Sequence, residues 1–202
     1  MALTPTQHRT FGLLLALPAL WLIAEILREA MAPGSRLGAD PADAVVDYLG
    51  LWSIRLLLLT LAVSPLRRWL GRPELAPLRR TTGLFAFGYV CAHVLAYAVL
   101  LNGLEWAVLL EDLTERRYII AGAVAFGCLL PLAITSTRRW QRRLRRNWIR
   151  LHRLVFVAAA AAVLHLLWLT RSDYGEPLFY LAVLALLVAE RLSARRPAPV
   201  AA

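Results

Sequence analysis

The sequence predicts an all-α integral membrane protein, a bundle of six transmembrane helices with both termini in the cytoplasm. Three observations predict it. Apolar residues make up 59% of the 202-residue chain and the mean hydropathy is +0.58, well above the values of soluble domains. Those residues gather into six stretches close to the length of about 20 that a helix needs to cross a bilayer core of about 30 Å. The arginines fall unevenly between the stretches. This composition excludes a soluble globular enzyme and a disordered chain.

The first stretch, Phe11–Leu27, has only His8 and Arg9 as flanking charge on its N-terminal side. It exceeds the apolar run of about 7–15 residues found in signal peptides, so a retained helix is expected. The second, Val45–Pro65, carries Arg55 within it. Thr81–Leu101, Tyr118–Thr135 and Leu151–Thr170 follow. The sixth, Pro177–Ala189, is short, but Glu190 and Arg191 can snorkel at its end. Proline and glycine mark the joints at Pro33–Gly34, Pro65, Gly71–Pro73, Gly103 and Gly175–Pro177. Pro18 and Pro131 lie inside spans, where kinks are expected. No internal repeat is evident by inspection.

Orientation follows from the arginines. All 23 basic residues are arginine, and the net charge is +10. With the N-terminus inside, 17 of them fall in inner segments and only Arg28, Arg36, Arg116, Arg117 and Arg171 in outer ones. Among acids, only Glu74 and Glu190 face inward. Basic residues concentrate on the cytoplasmic side of membrane proteins, so a pI near 10.9 reads as topology and not as nucleic-acid binding. The run Arg138–Arg150 suits lipid anchoring and also the docking of a cytoplasmic electron donor. Outside, Glu105, Glu111, Asp112 and Glu115 read as solvating a loop, with partner docking the alternative. Cys91 and Cys128 show no CxxC or zinc spacing and read as small buried side chains.

Ionisable groups inside a bilayer are costly and usually functional. His8 lies in the tail and reads as idle. His93 lies about 19 Å above the inner end of the third span and His165 about 21 Å above the start of the fifth. Two imidazoles at matching height on parallel helices can grip one iron, and haem is the natural occupant. Zinc is less suited, because it wants three or four protein ligands. His152 lies about 20 Å below His165. A second haem there would need a partner near Arg79 or Arg80, and arginine does not ligate iron. The residues therefore give one full site and one half-site. Arg55 is read either as a haem-propionate partner or as snorkelling to the outer surface. The chain has no GxGxxG, P-loop, GxSxG or HExxH, so it needs partners at both ends.

These residues carry a resemblance. Leu129-Leu-Pro-Leu-Ala-Ile-Thr135-Ser136-Thr137, Arg142-Arg-Leu144 and Trp148-Ile-Arg-Leu-His152-Arg-Leu-Val155 resemble the haem-binding membrane subunits of periplasmic methionine sulfoxide reductase systems, the MsrQ or YedZ family. So do Arg79-Arg80-Thr-Thr-Gly83-Leu84 leading to His93, and Thr60-Leu-Ala-Val-Ser64-Pro65-Leu66. The resemblance covers essentially the whole chain as a single domain, 1–202. It extends to the wider ferric-reductase-like transmembrane family, which also contains NADPH oxidases.

The resemblance implies an electron-transfer subunit in the bacterial inner membrane. It would carry electrons from the quinol pool, or from a cytoplasmic flavin reductase, to a periplasmic molybdenum-containing methionine sulfoxide reductase. That partner would repair oxidised periplasmic proteins, restoring the apolar thioether. The implied cofactors are haem b and FMN, and His93, His152 and His165 match the family's haem-associated histidines. The wider family often has two histidines on each of two helices, whereas here the third span has one. The FMN is not placed by these residues, although the arginine-rich inner loop suits a phosphate. Two other readings remain. One is a stand-alone ferric-reductase-like oxidoreductase. The other is a haem-free transporter or structural subunit, which usually shows matched halves and broken helices.

Overall fold

The computed structural model describes residues 4–34 and 36–194. Among them the chain is helical, with no strand. The helices are α1 Pro5–Met31, α2 Pro41–Trp69, α3 Leu78–Ala96, α4 Trp106–Glu115, α5 Arg117–Ile134, α6 Arg138–Leu144, α7 Arg146–Leu151, α8 Leu154–Leu169 and α9 Gly175–Ser193. A 3₁₀ turn at Pro73–Leu75 precedes α3, and a π-helical turn at Tyr97–Leu101 extends it. Arg195 and Arg196, counted above among the inner arginines, lie outside the described residues.

Local chemistry sets the helix ends. Thr4 and Gln7 form a capping box with Pro5 in the first turn of α1. The Asp40 carboxylate accepts from the amides of Ala42 and Asp43 before Pro41 opens α2. Gly103 and Leu104 both take positive φ, 54° and 61°, and turn the chain back into α4. The sequence predicts only a loop there, whereas residues 106–115 form a helix.

Among the described residues, five helical segments are long and apolar enough to cross a membrane: Pro5–Met31, Pro41–Trp69, Pro73–Leu101, Arg117–Ile134 and Arg146–Leu169. The outward face of α1 carries Leu13, Leu14, Leu17, Leu20 and Trp21, all exposed, as helices against acyl chains require. α9 differs because it bears Glu176, Glu190 and Arg191. Two of these are paired to α2. Arg55 reaches Glu176 at 2.9 Å and Arg68 reaches Glu190 at 2.5 Å. The spacings of 13 residues on α2 and 14 on α9 correspond to about 20 Å of rise on each. α9 therefore runs parallel to the second half of α2.

The bundle is built from two antiparallel pairs, α2–α3 and α5–α8, which make its most extensive contacts. Ala86 on α3 and Ala158 on α8 are fully buried, with Ala159 and Val163 nearly so. Small side chains let helix backbones approach closely where lipid removes the usual hydrophobic drive.

α1 docks through two tyrosines. The Tyr89 hydroxyl accepts from the Ala19 amide at 2.9 Å and donates to the Leu15 carbonyl at 3.1 Å. It thus replaces one rung of the helix ladder, one residue past Pro18, where a kink is expected. Tyr48 donates to the Pro18 carbonyl at 3.1 Å. Tyr89→Phe would leave a buried amide and carbonyl without partners, a loss of about 1–3 kcal/mol. Thermal unfolding in detergent should show a lower midpoint, and an unchanged midpoint would mean that α1 recloses its own hydrogen bond.

Candidate functional site

The two helix pairs converge on two histidines. His93 comes from α3 and His165 from α8, and their ring centres lie 6.2 Å apart with planes crossed at 82°. Each ring is held from behind by a neighbouring backbone. His93 Nδ1 is 2.9 Å from the Val46 carbonyl of α2, and His165 Nδ1 is 2.6 Å from the Tyr118 carbonyl of α5. A carbonyl only accepts, so both Nδ1 atoms carry the hydrogen and both Nε2 atoms keep a free lone pair.

Each accepting carbonyl sits one turn before a glycine. A Cβ at Gly50 would stand 3.1 Å from His93 Nδ1, and one at Gly122 would stand 3.0 Å from His165 Nδ1. The glycines leave room for the imidazoles to lie against the helix backbone. Val46, Gly50, Ala86 and His93 recur 72 positions later as Tyr118, Gly122, Ala158 and His165. This repeat of backbone roles is not evident in the sequence, because most side chains around it differ.

His152 is placed differently. It lies at the break between α7 and α8, stacked on Trp148 with ring centres 4.0 Å apart. The Thr135 hydroxyl donates to the Pro131 carbonyl at 2.6 Å, so it accepts from His152 Nε2 at 3.2 Å. His152 therefore bears its hydrogen on Nε2, the opposite tautomer from the other pair. It lines a cavity of about 1000 Å³ at the arginine-rich end, together with Trp148, Arg67, Arg79, Arg80 and Arg138. His8, read as idle, also lines this cavity, 3.5 Å from Thr81 Oγ1. The cavity lining does not include His93 or His165.

Arg55 meets protein partners. Its Nε donates to the Tyr180 hydroxyl at 2.7 Å and its guanidinium pairs with Glu176, while its carbon lies 5.3 Å from the Trp52 ring centre. In the structure it therefore ties α2 to α9, where the sequence reading offered a propionate or the outer surface. Asp112, expected to solvate a loop, turns inward instead. It is 3% exposed, accepts from the Tyr97 hydroxyl and forms an ion pair with Arg116, while Glu105, Glu111 and Glu115 are exposed. A lone acid in a short amphipathic stretch gave no signal that it turned inward.

The glycine clearance is testable. Gly122→Ala should destabilise the protein by about 1–3 kcal/mol, as overpacking does, because the His165 ring must give way. Gly127→Ala, where a Cβ meets nothing within 4 Å, should be neutral or slightly stabilising. Equal melting temperatures for the two variants would contradict the clearance argument.

Residues 49–163 match the family model described as ferric reductase like transmembrane component, a stretch that contains both glycines, His93 and His152. The protein-methionine-sulfoxide reductase heme-binding subunit MsrQ of Xanthomonas campestris pv. campestris strain 8004 is 48% identical over 165 residues. That match covers 79% of this chain and 75% of the relative. The subunit of the same name from Xanthomonas oryzae pv. oryzae strain MAFF 311018 is 45% identical over 173 residues, covering 81% and 79%. No solved structure matches the chain. With two clamped imidazoles between two helix pairs, and with these relatives, the chain is a multi-pass membrane protein that belongs to the ferric reductase like transmembrane family and, within it, to the MsrQ subunits.

Proposed function

We propose that this chain is a haem b electron-transfer subunit, and the crossed His93–His165 pair is the observation that carries the proposal. Two metal–imidazole bonds of about 2 Å plus the half-widths of two rings span about 6 Å, and the ring centres are 6.2 Å apart. Among the described residues there is no group of three or more His, Cys, Asp or Glu side chains that could hold a metal. A bare ion such as zinc lacks ligands here, whereas a porphyrin supplies four nitrogens and needs only two from protein. The Nδ1–H bonds to backbone carbonyls are the usual second support of a metal-binding histidine, because they fix the tautomer and raise ligand basicity. The residues present therefore fit the group.

When bound, haem supplies reversible one-electron chemistry. The chain's own contribution is to hold the two imidazoles, keep the surroundings apolar and connect the two faces of the membrane. The arginine asymmetry supports six spans, α9 included, with both termini cytoplasmic in a bacterial inner membrane. Electrons then enter at the arginine-rich end, from quinol or a cytoplasmic flavin reductase. They leave at the opposite end to a periplasmic molybdenum-containing methionine sulfoxide reductase that repairs oxidised proteins. The relatives' name supports a methionine sulfoxide reductase as the partner. The arginine-lined cavity suits an anionic group, and the phosphate of FMN is the occupant favoured here. His152 and Trp148 offer that group an aromatic wall, and His152 Nδ1 remains available to a second haem.

The absorption spectrum of the detergent-purified chain tests the assignment. A reduced b-type spectrum is expected, and it should be lost in His93→Ala and in His165→Ala while both variants still insert. His152→Ala should keep the His93–His165 haem. Normal haem content in the first two variants would remove the ligand assignment. The isolated chain should not turn over methionine sulfoxide without its periplasmic partner. Rapid reduction of ferric chelates by the isolated chain would favour the stand-alone reductase.

A further inference from the structure

We infer that Asp112 is a positioning residue that ties α4 to both haem-ligand frames and sets the haem's midpoint potential; this rests on the haem reading above. Asp112 lies outside the membrane-spanning segments, on the short helix between α3 and α5, yet it is 3% exposed. Its carboxylate faces two ways. One oxygen accepts from the hydroxyl of Tyr97, which stands one turn after His93 where α3 passes into its π-helical segment. The other is 2.7 Å from Arg116 Nε.

From Arg116 the connection continues to the second ligand. Arg116 donates to the Tyr118 hydroxyl at 3.0 Å. The Tyr118 carbonyl is the acceptor that holds His165 Nδ1 at 2.6 Å, and its ring centre is 6.0 Å from that of His165. One buried carboxylate thus joins the α3 end beyond His93 to the α5 start behind His165. Glu105, Glu111 and Glu115, on and beside the same helix, are exposed.

Removing the charge has a defined sign. In Asp112→Asn the Arg116 cation loses its counter-charge near the site, which favours the ferrous state. The freed Arg116–Tyr118 segment also holds the carbonyl less firmly, so the His165 imidazole becomes a weaker donor to ferric iron. Both effects raise the potential. Potentiometric titration of the haem-loaded full chain should show an upward shift in Asp112→Asn and a smaller one in Tyr97→Phe. Asp112→Glu should return most of the way, and Glu111→Gln should titrate as the parent does. An unshifted potential in Asp112→Asn, with haem content retained, would overturn the inference. If that variant fails to bind haem, Tyr97→Phe decides in the same way. A parent chain without haem would instead defeat the electron-carrier reading, and the two failures are told apart by the parent's spectrum.

Discussion

The hydrogen bond from each imidazole to a neighbouring helix backbone is the constraint on which the rest of the structure depends. A histidine in an apolar bundle must place two ring nitrogens. Giving Nδ1–H to a backbone carbonyl satisfies one and aims the other away from that helix. For this the helix must pass within hydrogen-bond distance of the ring, so the residue one turn along must lack a Cβ. Gly50 and Gly122 meet that requirement. The pairing of α2 with α3 and of α5 with α8 then follows, because each histidine is held by the partner helix of its own pair. The packing of the two pairs brings the rings to 6.2 Å.

A low-dielectric surrounding imposes the same demand elsewhere: a polar group inside must find a partner. Tyr89 completes this accounting for α1, where it fills a rung of the helix ladder. Arg55 and Arg68 do so for α2 by taking Glu176 and Glu190 from α9. These charges are also why α9 reads as the weakest span: its ends are charged because they are clamped to α2. Thr135 joins three elements, bonding the Pro131 carbonyl, His152 and, through its own carbonyl, the Trp148 indole at 2.9 Å. That junction holds the break between α7 and α8 in place. His152 is therefore committed to the fold at Nε2, whereas His93 and His165 are committed only at Nδ1.

The helical class, the apolar stretches and the convergence of His93 with His165 were legible because they depend on composition and on rise per residue, which are properties of the helix alone. The α4 helix was not, since ten residues between two longer runs resemble a polar loop. Arg55 was recognised as needing a partner, but its partner is 121 residues away, and only packing reveals it. Gly50 and Gly122 carry no signal in the sequence because their role appears only beside the facing histidine. The 72-residue recurrence was hidden for the same reason. What repeats is a carbonyl, a missing Cβ and a buried alanine, and two of these three leave no side chain to read.

The most direct test of the central claim is low-temperature electron paramagnetic resonance of the oxidised, haem-loaded chain. Two neutral imidazoles on one iron give a low-spin ferric signal, and planes crossed near 82° leave the two iron orbitals that face them nearly equal in energy. The account predicts a single, strongly anisotropic low-spin signal that disappears when His93 or His165 is replaced. A high-spin signal would contradict the paired ligands, and a rhombic low-spin signal would contradict the crossed clamps that hold them.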